Sequence, residues 1–256
     1  MPVNARDLPI IQGLWIGGEL SIIERLSIAS FLKNGHRFHL YTYDGVTGAP
    51  TGTEIRDGRE ILPADRIFKY KREGSYAGFS NVFRYKMLLD RGNYWVDLDV
   101  VCLRPFALDR EYVFSGAYKR RWLGRRGTEQ FIQSCVIRTP PGAPIMKYCY
   151  ETSAAKVPDD LVWGEIGPNL LQSAVRKYNL TQFVSGHCQF TTIDWPFTER
   201  FISGAPQVAW FERAKPTFLR SYATHLHNEM WRKKGLDKNA DYPPGSFLET
   251  LKQRYL

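Results

Sequence analysis

The sequence predicts a single domain of the α/β class, and three observations lead there. The chain opens on a strand–helix–strand unit, with apolar runs at Ile10–Ile16 and Phe38–Tyr43 flanking a helix signal at Ser21. A second helix runs straight into another apolar strand between residues 75 and 101. The 256 residues, 43% hydrophobic and 24% charged, suffice for one substantial core, and no repeat, low-complexity tract or linker divides them.

In the first unit, Ser21 and Glu24 have the spacing of a capping box, which opens a helix reaching about Asn34-Gly35. Strand–helix–strand order predicts a parallel pair joined by a right-handed crossover. Ligands of such sheets bind beyond the carboxyl ends of the strands. Trp15 and Gly17 stand at such an end. The glycine would let backbone approach a ligand and the indole would stack on a flat base; the plain alternative is a buried Trp beside a tight turn. Residues 46–74 are loop-rich, with a short strand near Ile55 and an irregular stretch from Ile67 to Tyr70.

The helix over residues 75–92 has Val82, Phe83, Leu88 and Leu89 on its apolar side and Gly92 as its C-cap. Asn81 and Arg84, three apart, share one face. The following stretch, Tyr94 to Val101, is aromatic and β-branched and reads as a buried strand interrupted by Asp97 and Asp99. In an extended chain both carboxylates face one side, with Leu98 on the other. Two anions on one short edge repel, and their burial is costly without a cation. Mg²⁺ and Mn²⁺, which favour carboxylate oxygens and share them with substrate phosphates, are the natural candidates. The bland alternative is a strand end with both carboxylates solvated, and the tripeptide alone does not decide between the two.

Beyond Pro105, Glu111–Gly116 and Phe131–Arg138 read as strands flanking a basic loop, and a helix spans about Ile145 to Lys156. Pro168 falls in the first turn of a further helix reaching Tyr178. Residues 183–185 and Gln189–Ile193 read as short strands, and Tyr222–Trp231 as a strand turning into a loop or helix. Ser246 and Glu249 repeat the capping-box spacing ahead of a terminal helix.

A formal charge of +9, from 35 basic against 26 acidic residues, favours an anionic partner such as a nucleotide diphosphate or an anionic membrane face. The densest basic run, residues 119–126, reads as a solvated loop with anion binding as the alternative. No DNA- or RNA-binding motif accompanies it, so nucleic acid is not an expected partner. Cys102, Cys135, Cys149 and Cys188 form no CxxC pair and suggest reduced thiols rather than zinc or disulfides. The N-terminus lacks a signal-peptide pattern, and no run approaches the ~18 apolar residues of a membrane span. The expected setting is the cytoplasm, with peripheral contact at the inner face of the membrane through the basic surface.

Taken together, Ser80-Asn81, Arg84, Gly92, Trp95 and Asp97-Leu98-Asp99 resemble, in order and spacing, the retaining glycosyltransferases whose sugar-binding region contains a DXD motif. This is the family 32-like group, related to bacterial capsular and lipopolysaccharide enzymes, α-1,4-galactosyltransferases, yeast initiating mannosyltransferases and clostridial glucosylating toxins. Leu14-Trp15-Ile16-Gly17-Gly18 resembles the group's first strand, Glu165-Ile-Gly-Pro168 its Gly-Pro segment, and His225-Leu-His-Asn228 its His-x-Trp-Asn segment. The resemblance spans about residues 10–231. It differs at Asn81, where many relatives carry Asp, at His227 in place of Trp, and at Gln133, where relatives often carry Asn.

The resemblance implies a GT-A fold: a Rossmann-like nucleotide-sugar-binding half (about 1–106) joined to an acceptor-binding, metal-completing half (about 107–256), with a mixed central sheet. It implies Mn²⁺ or Mg²⁺ on Asp99 and His225, with Asp97 on ribose or sugar hydroxyls and on the metal through water. Trp15, Gly17, Asn81, Arg84, Trp95 and Asn228 would line the donor, a nucleotide-diphosphate sugar with UDP favoured. Arg84 would neutralise phosphate or orient the sugar, and Gln133 would touch the sugar. Glu165 is expected to serve as a base or an acceptor contact, the alternative being a partner of its own helix dipole. The implied reaction is retaining hexosyl transfer to a glycan or lipid-linked acceptor of a bacterial surface polysaccharide. Two other classes stay open: a non-catalytic basic protein binding glycan or an anionic surface on this scaffold, and a nucleotidyltransferase, which would lack its usual Lys-bearing phosphate loop.

Overall fold

The computed structural model describes residues 8–120, 126–186, 188–204 and 220–256, with backbone alone for 118–120 and 126–130. The opening unit forms as the sequence predicts. Strand β1 (Ile11–Trp15) leads through helix α1 (Ile22–Lys33) to β2 (Phe38–Thr42), and β1 and β2 pair in parallel. At the start of α1 the Glu24 carboxylate accepts the Ser21 N–H at 3.1 Å, closing one arm of the capping box. The short strand β3 (Thr53–Asp57) adds in parallel to β2.

Helix α2 (Ala77–Arg91) carries the chain across to the other side of β1 and ends at Gly92, whose φ of 60° is the left-handed conformation glycine supplies. Strand β4 (Asn93–Val96) follows at once and pairs in parallel with β1. The long strands β6 (Val113–Arg120) and β7 (Arg126–Thr139) form an antiparallel hairpin, and β7 pairs antiparallel with β4. The six-stranded sheet is therefore mixed, in the order β3-β2-β1-β4-β7-β6. This is the α/β class, with a Rossmann-like parallel half and a mixed sheet, that the sequence and the GT-A resemblance led us to expect.

Alternation along the strands divides the core between the two faces. In β4, Tyr94 and Val96 join Ile11, Ile28, Phe31 and Phe38 on the α1 side, while Trp95 joins Phe83, Leu88, Ile145 and Leu171 on the other. That second face is covered by α2, α3 (Pro144–Ala154) and α4 (Leu170–Lys177). A third cluster, with Leu26, Leu226, Trp231 and Leu248, joins α1 to helices α5 (Asn228–Lys234) and α6 (Phe247–Tyr255).

Four expectations need correction. The aspartate strand does not run on to Val101: it ends at Val96, and a turn closed by Val100 N–H donating to Asp97 O (3.0 Å) occupies residues 97–100. Leu98 folds back into space that Gly13 leaves on β1, where a Cβ would lie 2.9 Å from Leu98 Cδ2. The segments at 183–185 and 189–193 are not strands; Val184 makes an isolated bridge to Phe114, and Gln189 O accepts from Tyr222 and Ala223 N–H without forming a ladder. Pro168 lies in a π-type turn (Glu165–Asn169) that breaks at Gly167 before α4 begins at Leu170. Ser246 does cap α6, but Glu249 turns to Tyr242 N–H and Lys252 instead of completing the box. The side chains of the basic run at 119–126 lie outside the described residues. No disulfide joins the cysteines, and among the described residues no helix is long and apolar enough to cross a membrane.

Candidate functional site

The strand order reverses between β1 and β4, because the chain goes from β1 outward to β2 and β3 and then returns to β1's other side. Crevices at such reversals, beyond the carboxyl ends of the strands, are where open α/β sheets bind ligands. Trp15 ends β1, and Asp97 and Asp99 follow the end of β4. The turn after Val96 lets β5 (Val100–Cys102) leave the main sheet and pair antiparallel with β8 (Ala223–His225), setting Val100 opposite His225. Leu226 N–H donates to Asp99 O at 2.8 Å. Backbone pairing thus brings a residue from far along the chain onto the aspartate turn.

There Asp97, Asp99 and His225 each offer a ligand atom, all within 4.8 Å of one another. Carboxylates that close repel by on the order of 3–4 kcal/mol at an effective dielectric of 20, so each needs its own cation. Asp97 has Arg84, whose Nη2 lies 3.1 Å from Oδ1, and accepts the Trp95 indole N–H at 2.9 Å. Asp99 has His225, with Nε2 to Oδ2 at 3.1 Å, and accepts the Asn228 backbone N–H at 2.6 Å.

These environments push the two carboxyls apart. Burial, with the Asp99 charge added, raises Asp97 above its ordinary range against the pull of Arg84. Burial acts the same way on Asp99, but there the His225 charge and the hydrogen bonds from His225 and Asn228 outweigh it and hold the carboxyl well below its usual range. Burial opposes the imidazolium of His225, yet Asp99 raises that histidine well above its usual value. His227, 4.3 Å from His225 ring to ring, is pushed by burial down to about 3 and contacts Ile193 O through Nε2. The sequence difference at His227 is therefore accommodated by a neutral, buried imidazole.

The other expected residues fall into two groups. Near the turn, Arg84 is almost fully buried and donates to Ser80 O, Ser80 Oγ and Ser134 O as well as pairing with Asp97, with its guanidinium 4.9 Å from the Trp95 ring. Its contacts thus make it the holder of Asp97. Trp95 is buried, and its polar contact is with Asp97. The Asn81 amide packs on Gly167, where a Cβ would come within 2.9 Å of Asn81 Nδ2; the Gly-Pro segment is thereby tied to α2. Trp15 Nε1 and Asn228 Oδ1 are buried without a hydrogen-bond partner, the kind of polar atom that calls for a ligand or water. Gly17 backs onto the Trp15 indole.

On β7, Gln133 Oε1 accepts from Thr191 Oγ1 at 2.8 Å and from Cys135 Sγ at 3.7 Å, and the Cys135 carbonyl accepts the Asp97 N–H of the turn. Away from the turn, Glu165 pairs with Lys156 at 2.7 Å and accepts the Val162 N–H; the Lys156 hydrogen bond lowers its pKa, which makes it a weaker proton acceptor.

The donor set fits a divalent cation. Two carboxylates and an imidazole suit Mn²⁺ or Mg²⁺, and the nitrogen tilts the choice toward Mn²⁺. Ligands about 2.1 Å from one ion lie at most about 4.2 Å apart, and these atoms, all within 4.8 Å of one another, would reach that with a small inward shift. Sequence reasoning missed Ser80 as a second-hand support of Arg84 and Glu24 as anything beyond a helix cap.

No protein-family model and no curated protein matches the chain. Among solved structures it is similar to the PaToxG glycosyltransferase, at a TM-score of 0.46 and 13% identity over 97% of this chain and 88% of that one. It is also similar to a cysteine-to-serine mutant described as a transferase (TM-score 0.44, 9% identity, 67% of this chain and 86% of that one). A third similar structure is the apo form of the glycosyltransferase GlyE of Streptococcus pneumoniae TIGR4 (TM-score 0.39, 12% identity, 96% of this chain and 63% of that one). The chemistry therefore rests on this chain's own residues.

Proposed function

We propose that the chain is a metal-dependent glycosyltransferase that moves a hexose from a nucleotide-diphosphate sugar, UDP-linked by preference, to a glycan or lipid-linked acceptor. The observation that carries this reading is the convergence of Asp97, Asp99 and His225 at the reversal point of the sheet. A divalent cation bound there supplies Lewis-acid neutralisation of the leaving diphosphate. Asp99 and His225 are its proposed direct ligands, the cation taking the place of the proton that His225 Nε2 shares with Asp99 Oδ2. Asp97, held by Arg84 and Trp95, faces the ribose or sugar hydroxyls.

Trp15 stacks on the base, Gly17 lets the protein backbone approach the donor, Asn81 binds the sugar hydroxyls or the base, and Gln133 and Asn228 contact the donor. Glu165 is assigned to the acceptor side in preference to a base, because its pairing with Lys156 weakens it as a proton acceptor. We assign residues from about 1 to 106 to the nucleotide-sugar half and from about 107 to 256 to acceptor binding and completion of the metal site, within one domain. The retaining course, with the leaving phosphate helping to deprotonate the acceptor hydroxyl, follows the resemblance, as does the role in bacterial surface polysaccharide synthesis.

The test is a panel of UDP-, GDP- and other nucleotide-linked sugars with Mn²⁺, followed by slow donor hydrolysis. Release of nucleotide from one donor, lost in Asp99→Asn, is the expected result. No metal-dependent binding of any donor would leave the non-catalytic surface-binding alternative standing instead.

A further inference from the structure

Glu24 is a charged residue with no exposed surface, and the donor site as described makes no use of it. Full burial of a carboxylate is costly unless several partners compensate it. Glu24 has three. Besides Ser21, it pairs with Lys238 Nζ at 2.6 Å and accepts from Asn228 Nδ2 at 3.4 Å. One residue further along, Asn239 Oδ1 accepts the Ile22 N–H at 2.9 Å, so the same segment also caps α1. The Lys238 ammonium, anchored in this way, lies 6.0 Å from the centre of the Trp15 ring.

The segment from Asn228 to Asn239 is therefore tied to the first turn of α1 near both of its ends. Its first residue gives its backbone N–H to Asp99 Oδ2, while its side chain reaches Glu24.

We propose that Glu24 is a positioning residue of the site: it clasps the C-terminal segment so that the Asn228 N–H and His225 are held on Asp99, and Lys238 is held beside Trp15. Its consequence for metal binding rests on the function proposed above; its hold on Asn228 does not. A carboxylate in this place accepts from an ammonium and an amide at once. Both donors meet the same oxygen, Oε1, while Oε2 takes Ser21, so a glutamine carbonyl would still hold them; a leucine removes the acceptors at nearly constant volume.

The test compares full-length wild type with Glu24→Leu by amide hydrogen exchange, read at position 228 and at Leu40 in β2. Exchange at 228 is expected to rise at least about tenfold while Leu40 is unchanged, which separates local release from global destabilisation. The Kd for Mn²⁺ in the presence of UDP is expected to rise roughly tenfold, the usual cost of losing a group behind a metal ligand. Unchanged exchange at 228 in the folded variant overturns the proposal. If Glu24→Leu does not fold, Asn228→Ala keeps the Glu24–Lys238 pair and decides: faster exchange at 228 supports the clasp and unchanged exchange overturns it. A wild-type protein that binds no Mn²⁺ counts against the proposed function, and the exchange result still judges Glu24.

Discussion

Asp97 and Asp99 sit two residues apart with opposite electrostatic fates, and the difference lies in their partners. Asp97 is supported from α2 and β4, by Arg84 and Trp95, whereas Asp99 is supported from the far end of the chain, by His225 and Asn228. A strand's period of two predicts the same surroundings for both; the turn at 97–100 separates them. Their closeness was legible in the sequence because it depends only on chain connectivity. Which cation each would meet was not, because that depends on β8 pairing with β5. That Arg84 shares a helix face with Asn81 was legible from their spacing, but its direction, toward Asp97 and Ser134, belongs to packing. Trp15 makes a sharper test at this scale. Replacing it with Ala is expected to weaken UDP binding by about 1–2 kcal/mol, roughly tenfold, as loss of one aromatic–base stack does. Calorimetric titration checks the affinity and circular dichroism the fold; a variant that unfolds would make Trp15 a core residue.

Among the elements, the α2–Gly92–β4 passage sets the site. It brings Arg84, Trp95 and Asp97 together within a short length of chain, which is why this part could be read from spacing. Gly92 makes the passage possible. Its φ is 60°, and a Cβ there would lie 2.5 Å from Pro141 N. Left-handed strain of about 1–3 kcal/mol adds to that overlap, so Gly92→Ala is expected to lower stability by on the order of 3 kcal/mol, measured by urea denaturation. A loss below about 0.5 kcal/mol, the ordinary range for surface substitutions, would contradict it. The elements that escaped sequence reading are those whose pairing is irregular. Residues 189–193 look like a strand because Phe190 and Ile193 are buried, yet their backbone meets Tyr222 and Ala223 at a single carbonyl. Apolar content marks burial; it does not specify a ladder.

Across the whole molecule, the two halves of the chain meet at the carboxyl edge of the parallel strands. The first supplies Trp15, Asp97 and Asp99, and the second returns through β8 and α5 to supply His225 and Asn228. The parallel pairing of β1 with β2 followed from the strand–helix–strand pattern; the reversal that puts β4 on the other side of β1 did not. The return of the C-terminal segment to α1 had no local signature: Glu24 and Ser21 read as an ordinary capping box, and nothing near them in sequence announces Lys238 or Asn239. In the function proposed above, this long-range closure makes one metal-dependent donor site. The most direct measurement is anomalous scattering at the manganese edge from crystals grown with Mn²⁺ and UDP. One peak within coordination distance of Asp99 Oδ2 and His225 Nε2, with the uracil against Trp15, is predicted. Ordered UDP with no manganese between Asp99 and His225, or manganese bound only elsewhere, would contradict it.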